Sequence, residues 1–173
     1  MIYIVRHGQT DWNLNGRYGG RIDVPLNVKG IEQANALKEE LKNIKFDKIF
    51  SSPLIRAYMT AQIISDSEII KDDRIIERSN GDLEGKLKSE IMDIIDFNDP
   101  YETKYNIESI IEFRARINNF FDEITANYKG KNVLVVTHSG VGIYARCYFE
   151  GEPLNKDYTN YKLKNCEIIK YDN

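Results

Sequence analysis

The chain has 173 residues, enough for one domain over 1–173 whose core needs no disulfide or metal staples. Apolar residues make up 42% and charged residues 29%, the balance of a soluble globular protein. The formal net charge of −3 argues against a general nucleic-acid binder, although a local basic pocket for a small anion is compatible with it.

In chain order, Ile2, Tyr3, Ile4 and Val5 form an apolar run with no polar face, as in a strand covered on both sides of a parallel sheet. Over 28–44, Ile31, Ala34, Leu37, Leu41 and Ile44 make one helical stripe. A strand is expected at 47–51. Ser52 and Pro53 then read as N-cap and first residue of a helix running to Ile64. The stretch 69–76 predicts one short strand, and 86–105, with Asn98, Asp99 and Pro100, a broken helix and a loop. From Asn106 to Tyr128 the pattern is helical through Ile110, Phe113, Ile117, Phe120, Phe121 and Ile124, and Gly130 stops it. Val133–Val136 predicts a second fully buried strand, followed by a helix to about Phe149 and a closing strand at 166–171. Strands alternating with helices predict an α/β fold: a three-layer sandwich with a mostly parallel central sheet flanked by helices.

Cys147 and Cys166 have neither CxxC nor metal-type spacing. They read as small buried hydrophobes, one in a helix and one in a strand, and fit a reduced cytoplasmic setting. No run approaches the roughly 18 apolar residues of a membrane span, and the apolar start is too short for a signal peptide. A cytoplasmic protein with neither membrane nor nucleic acid as partner is expected.

Only two histidines are present, His7 and His138, and each directly follows a fully apolar strand. Ligands of open α/β sheets bind outside the carboxyl ends of the strands, so two residues far apart in sequence have a reason to converge there. A third strand ends at Ser51 and Ser52, with Arg56 near the start of the next helix. A helix N-terminus and a guanidinium fork both suit phosphate oxygens. Arg6 adjoins His7, and Arg17 follows in the next loop.

Arg6-His7-Gly8 with Thr10, Asn13, Gly16-Arg17 and Asp23-x-Pro25-Leu26 resembles the opening of the histidine phosphatase (phosphoglycerate-mutase-like) superfamily. Ser51-Ser52-Pro53-Leu54-x-Arg56-Ala57 with Thr60-Ala61 resembles its second motif. Glu77-x-x-x-Gly81-Asp82-Leu83-Glu84-Gly85 is similar to its acid-bearing segment, and Thr137-His138-Ser139-Gly140 to its closing motif. The four stand in family order and span essentially the whole chain.

The resemblance implies a phosphomonoesterase acting on a small phosphorylated metabolite. His7 would attack phosphorus through Nε2, its Nδ1–H held by a backbone carbonyl. Arg6, Arg56 and His138 would neutralise the phosphoryl oxygens, with Asn13, Arg17 and Gly20 as further phosphate contacts. Glu77 would protonate the leaving oxygen and later activate water, so it is expected to be partly desolvated or close to the substrate's charge. Without the motif, Glu77 would read as a surface carboxylate paired with Arg78. Glu84 has no proton-transfer role in the family pattern. Gly19 and Arg21 stand where relatives often carry a polar side chain and a Trp, and Ser139 replaces a common Gly. These departures bear on substrate preference.

Four other readings compete. A metal hydrolase would use two histidines and a carboxylate, but Arg6 and Arg56 would repel its cation; no metal and no cofactor are expected. A dinucleotide site fails on the spacing of Gly16, Gly19 and Gly20. A non-catalytic phospho-ligand-binding relative would typically have lost the nucleophile, an arginine or the acid. A phosphoglycerate mutase needs an enclosed site with basic residues for the substrate's carboxylate between the acid motif and the closing histidine. Here 86–105 is short and acidic, with Asp93, Asp96, Asp99, Glu102 and few cations, which favours an open site and a phosphatase.

Overall fold

The structure, a computed structural model, describes residues 1–91, 94–96 and 99–172. Its centre is a five-stranded sheet: β1 (Ile2–Arg6), β2 (Lys48–Ser51), β3 (Ile70–Lys71), β4 (Val133–Thr137) and β5 (Ile168–Tyr171), in the order β3-β2-β4-β1-β5. β5 pairs antiparallel with β1 and every other pair is parallel. The α-helices are α1 (Asp11–Leu14), α2 (Val28–Leu41), α3 (Ile55–Ile64), α4 (Lys88–Ile91), α5 (Ile110–Asn127) and α6 (Ser139–Glu150).

The period-two geometry of the strands divides the core into two layers. Ile2, Ile4, Phe50, Val133 and Val135 face the α5 and α6 side, against Phe113, Ile117, Phe120, Phe121, Val141 and Ala145. Tyr3, Val5, Ile49, Leu134 and Val136 face the other way, against Leu37, Leu41, Ala57, Ala61 and Ile64 of α2 and α3. Both faces are therefore covered, which is why β1 and β4 read as unbroken apolar runs. Each such Val, Ile or Phe, fully buried, contributes about 1.5–3 kcal/mol of transfer free energy. The expected α/β sandwich is the observed one.

Several boundaries differ from the sequence reading. α3 starts at Ile55 with Leu54, in extended conformation, as N-cap, and the Ser52 hydroxyl is bonded to His138. The stretch 69–76 holds only the two residues of β3 and then a 3₁₀ turn at Asp73–Ile75, capped by Asp72. α5 begins at Ile110, not at Asn106: Tyr105 and Asn106 have positive φ, and Ser109 caps the helix by accepting the Glu112 N–H. Cys166 lies in the turn before β5 at φ 56°, outside the strand. Ile31 of the expected stripe is exposed, and Gly30 takes the buried position beside Ala34. Within 86–105, α4 and a 3₁₀ turn at Lys104–Asn106 match a broken helix; Asp93 and Asn98 lie outside the described residues.

The topology builds the site. β2, β4 and β1 are adjacent and parallel, with Arg6 paired to Thr137 and Ser51 to Val136. The residues that follow them, Ser52, His138 and His7, therefore emerge side by side at one edge of the sheet, with His138 in the middle. The His7 N–H donates to the Thr137 carbonyl and the Ser52 N–H to that of Val136, so the strands hold register to their last residue.

Candidate active site

A cavity of about 490 Å³ opens at that edge, lined by Arg6, His7, Asn13, Arg17, Gly20, Arg56 and Glu77 among others. The topology thus gathers these predicted residues, although they span positions 6–77 of the chain. His138 stands one layer deeper, fully buried, its ring centroid 5.2 Å from that of His7 at an interplanar angle of 63°.

His7 is buried, and its Nδ1 lies 2.6 Å from the Gly8 carbonyl oxygen. A carbonyl only accepts, so Nδ1 carries the proton and Nε2 is left bare. Burial first, then the charges of Arg56 and Arg6, push the His7 pKa well below its ordinary 6.5, which keeps the ring neutral. Glycine is required at position 8 because a Cβ there would run into the Gly30 carbonyl at the start of α2. The Gly8 N–H donates to Thr60 Oγ1, and that hydroxyl donates to the Arg56 carbonyl, tying the loop to α3.

The two arginines are fixed by backbone carbonyls. Arg6 donates from one terminal nitrogen to Leu163 O at 2.7 Å, while its buried Nε has no hydrogen-bond partner among the described residues. Arg56 donates to Ile22 O at 2.9 Å and Gly20 O at 2.7 Å. Desolvation lowers both pKa values, with the Glu77 charge acting in the opposite direction. Two buried cations held by neutral acceptors beside two neutral imidazoles, with Glu77 as the one carboxylate in the lining, form a net positive hole, a setting that stabilises an incoming anion. Gly20 contributes through its carbonyl, on Arg56. Its φ is +50°, and a Cβ there would collide with the Glu84 carboxylate.

Glu84 holds this rim together: it accepts the N–H groups of Arg21, Ile22 and Asn80. Arg21 stands outside the cavity, bonded to the Glu77 carbonyl and paired with Glu108 at 3.2 Å. Glu77 is half-buried, with Oε1 accepting the Arg78 N–H at 2.9 Å and Oε2 the Gly140 N–H at 3.2 Å. The Arg78 backbone, not its guanidinium, supplies that bond; Arg78 Nε donates to Glu108 O. Arg17 donates to Gly85 O at 2.6 Å from an exposed position on the wall. Asn13 completes the capping box of α1, and its Oδ1 accepts from Thr10 N–H and from Asn165 Nδ2. The other end of that amide, a donor, is left for an occupant of the cavity.

Sequence reasoning missed several lining residues: Trp12, Tyr18, Arg78, Lys88, Tyr158 and Lys162. Lys88 belongs to the stretch read as poor in cations, yet it reaches the cavity wall, 5.7 Å over the Tyr18 ring. Its pKa is lowered by desolvation first and then by Arg6 and Lys162. Asn165, which also donates to the His7 carbonyl at 3.0 Å, carried no sequence signal either. The lining set holds six Arg and Lys residues and a single carboxylate, Glu77. Among the described residues, no three His, Cys, Asp or Glu side chains are gathered as a metal site.

A mostly parallel sheet presenting a bare imidazole nitrogen beside two buried guanidinium groups defines a phosphate-handling enzyme. The chain belongs to the histidine phosphatase superfamily (branch 1), whose model matches residues 2–172, and it is a phosphatase of that superfamily. It is 34% identical to phosphoserine phosphatase 1 of Hydrogenobacter thermophilus over 165 residues, 90% of this chain and 78% of the relative. The phosphoserine phosphatase of Entamoeba histolytica, solved with 3-phosphoglyceric acid, superposes with a TM-score of 0.83 at 27% identity, covering 96% of this chain and 87% of that one. The YhfR protein of Bacillus stearothermophilus superposes with a TM-score of 0.86 at 29% identity, covering 99% and 91%.

Proposed function

We propose that this chain hydrolyses small phosphomonoesters through a phosphohistidine at His7, within one domain over 1–173. The observation that carries the reading is the His7 Nδ1 bond to Gly8 O, which leaves Nε2 as a neutral nucleophile beside Arg6 and Arg56. The Nε2 lone pair attacks phosphorus, the P–O ester bond breaks, and the Glu77 carboxyl protonates the departing oxygen. Glu77 then takes a proton from water, the water oxygen bonds to phosphorus, the P–N bond breaks and inorganic phosphate leaves. Arg6, Arg56, His138 and Asn13 Nδ2 stabilise the phosphoryl oxygens throughout. Arg17 and the loop at Gly20 complete the phosphate end of the cavity.

Within this reading we place the substrate among phosphate esters that also carry a carboxylate, such as phosphoserine or phosphoglycerate. Lys88 and Lys162 on the wall beside Arg6 supply positive charge beyond what one phosphoryl group needs, and two of the three relatives named above are phosphoserine phosphatases. Hydrolysis is favoured over mutase action, and the setting is the reduced cytoplasm. Release of phosphate should be measured over a monoester panel that pairs phosphoserine with phosphoethanolamine, its analogue without the carboxylate. Phosphoserine should lead by about tenfold or more in kcat/KM, the scale of one charged contact. Equal rates would remove the carboxylate preference, and no turnover of any monoester would overturn the phosphatase assignment for this site.

A further inference from the structure

The order β2-β4-β1 places His138 between Ser52 on one side and His7 on the other. His138 Nε2 lies 2.7 Å from Ser52 Oγ, both residues are fully buried, and His138 Nδ1 has no hydrogen-bond partner among the described residues. The Leu54 N–H points into the same Ser52 oxygen at 3.3 Å. Burial first, then the charges of Arg56 and Arg6, keep the His138 ring neutral, so it carries one proton.

That proton has two possible sites. On Nε2 it would be donated to Ser52 Oγ, which already accepts from Leu54. The hydroxyl hydrogen would then lack an acceptor in a fully buried place, and Nδ1 would be a bare lone pair beside the phosphoryl site. On Nδ1, Leu54 N–H donates to Oγ, the hydroxyl donates to Nε2, and only Nδ1–H is left, a donor for an incoming oxygen. The first arrangement leaves two buried groups unmet, the hydroxyl hydrogen and Nδ1, and the second leaves one; each unmet buried group costs its full desolvation, which selects the second.

On the reading that His7 carries the phosphoryl group, we propose that Ser52 is a positioning residue that fixes His138 as the Nδ1–H tautomer, so that Nδ1 donates to a phosphoryl oxygen. The two histidines then share a tautomer for opposite ends. The Gly8 carbonyl consumes the Nδ1–H of His7 to bare its nucleophile, whereas Ser52 occupies Nε2 of His138 to keep its donor.

Nitrogen-15 NMR of the labelled protein tests this directly, because the chain has only two histidine rings to resolve. Both rings should show a protonated Nδ1 and a pyridine-like Nε2. In Ser52→Ala the His138 pattern should move toward Nε2–H while His7 is unchanged, and kcat/KM should fall about tenfold, the equivalent of one hydrogen bond. Ser52→Thr, which keeps the hydroxyl, should restore both readouts. A protonated Nε2 on His138 in the unaltered protein would overturn the proposal without any variant being made. So would a Ser52→Ala protein whose spectrum and rate are both unchanged. The predicted tautomers in a protein that turns over no phosphomonoester would support the Ser52 assignment and overturn the phosphatase reading instead.

Discussion

Glu77 and Gly140 meet across the site: Glu77 Oε2 accepts the Gly140 N–H at 3.2 Å, and a Cβ on residue 140 would overlap the same carboxylate. Gly140 sits in the first turn of α6, so the glycine both admits the carboxylate and holds it at a helix N-terminus.

Gly140→Ala should therefore act on catalysis more than on folding. Alanine is the better helix former, so the thermal midpoint should stay within a few degrees. Turnover of alkyl phosphates should fall about tenfold to a hundredfold as Glu77 is displaced, the lower part of the range for general acid catalysis. Alkyl phosphate turnover within twofold of the unaltered enzyme would show that the carboxylate position at 77 is not critical.

Glu77→Gln and Glu84→Gln should differ in kind. The first should slow phosphorylation by an alkyl phosphate by about 10²-fold or more and by an activated aryl phosphate far less, since an aryl oxide departs without a proton. The second removes one of the acceptors that hold Arg21, Ile22 and Asn80, and with them the carbonyls that grip Arg56. It should depress both substrates alike and lower stability. Single-turnover rates separate the two patterns; leaving-group dependence in Glu84→Gln would reverse the assignment of the acid.

Asn165→Ala should release the Asn13 amide from its second fixed contact and weaken the hold on the His7 carbonyl. The expected result is a severalfold loss in kcat/KM with the fold intact. Unchanged kinetics would make Asn165 a residue of the turn alone.

The pH dependence follows from the histidines. Both have folded-state pKa values well below the ordinary 6.5, so below that value the unfolded chain binds protons that the folded one refuses. Unfolding free energy should fall as pH drops through 6.5, by up to about 1.4 kcal/mol per unit per histidine, and should gain nothing from these groups at higher pH. Urea unfolding at pH 7.5 and 5.5 should differ by about 2–3 kcal/mol from the pair. Equal stability at the two values would contradict the buried neutral state.

Most of this site was legible because its parts stand at strand ends. Apolar runs ending at Val5 and Val136 located both histidines, and the order of four motifs located Arg56 and Glu77. The diversion of Ser52 was not legible, since its sequence context is that of an N-cap and the competing partner is 86 residues away. Lys88, Lys162 and Asn165 come from segments with no periodicity, where position is set by loop hydrogen bonds such as Lys88 N–H to Gly16 O. The capping pair Ser109 and Glu112 was a readable start for α5 that apolar spacing alone misplaced.

Trapping of the phosphorylated protein tests the central claim most directly. After mixing with phosphoserine or an aryl phosphate and an acid-free quench, phosphate should be found covalently on His7, stable to base and labile to acid. His7→Ala should carry none and turn over at least about 10⁴-fold more slowly. Phosphate on another residue, or near-normal turnover by His7→Ala, would contradict the account.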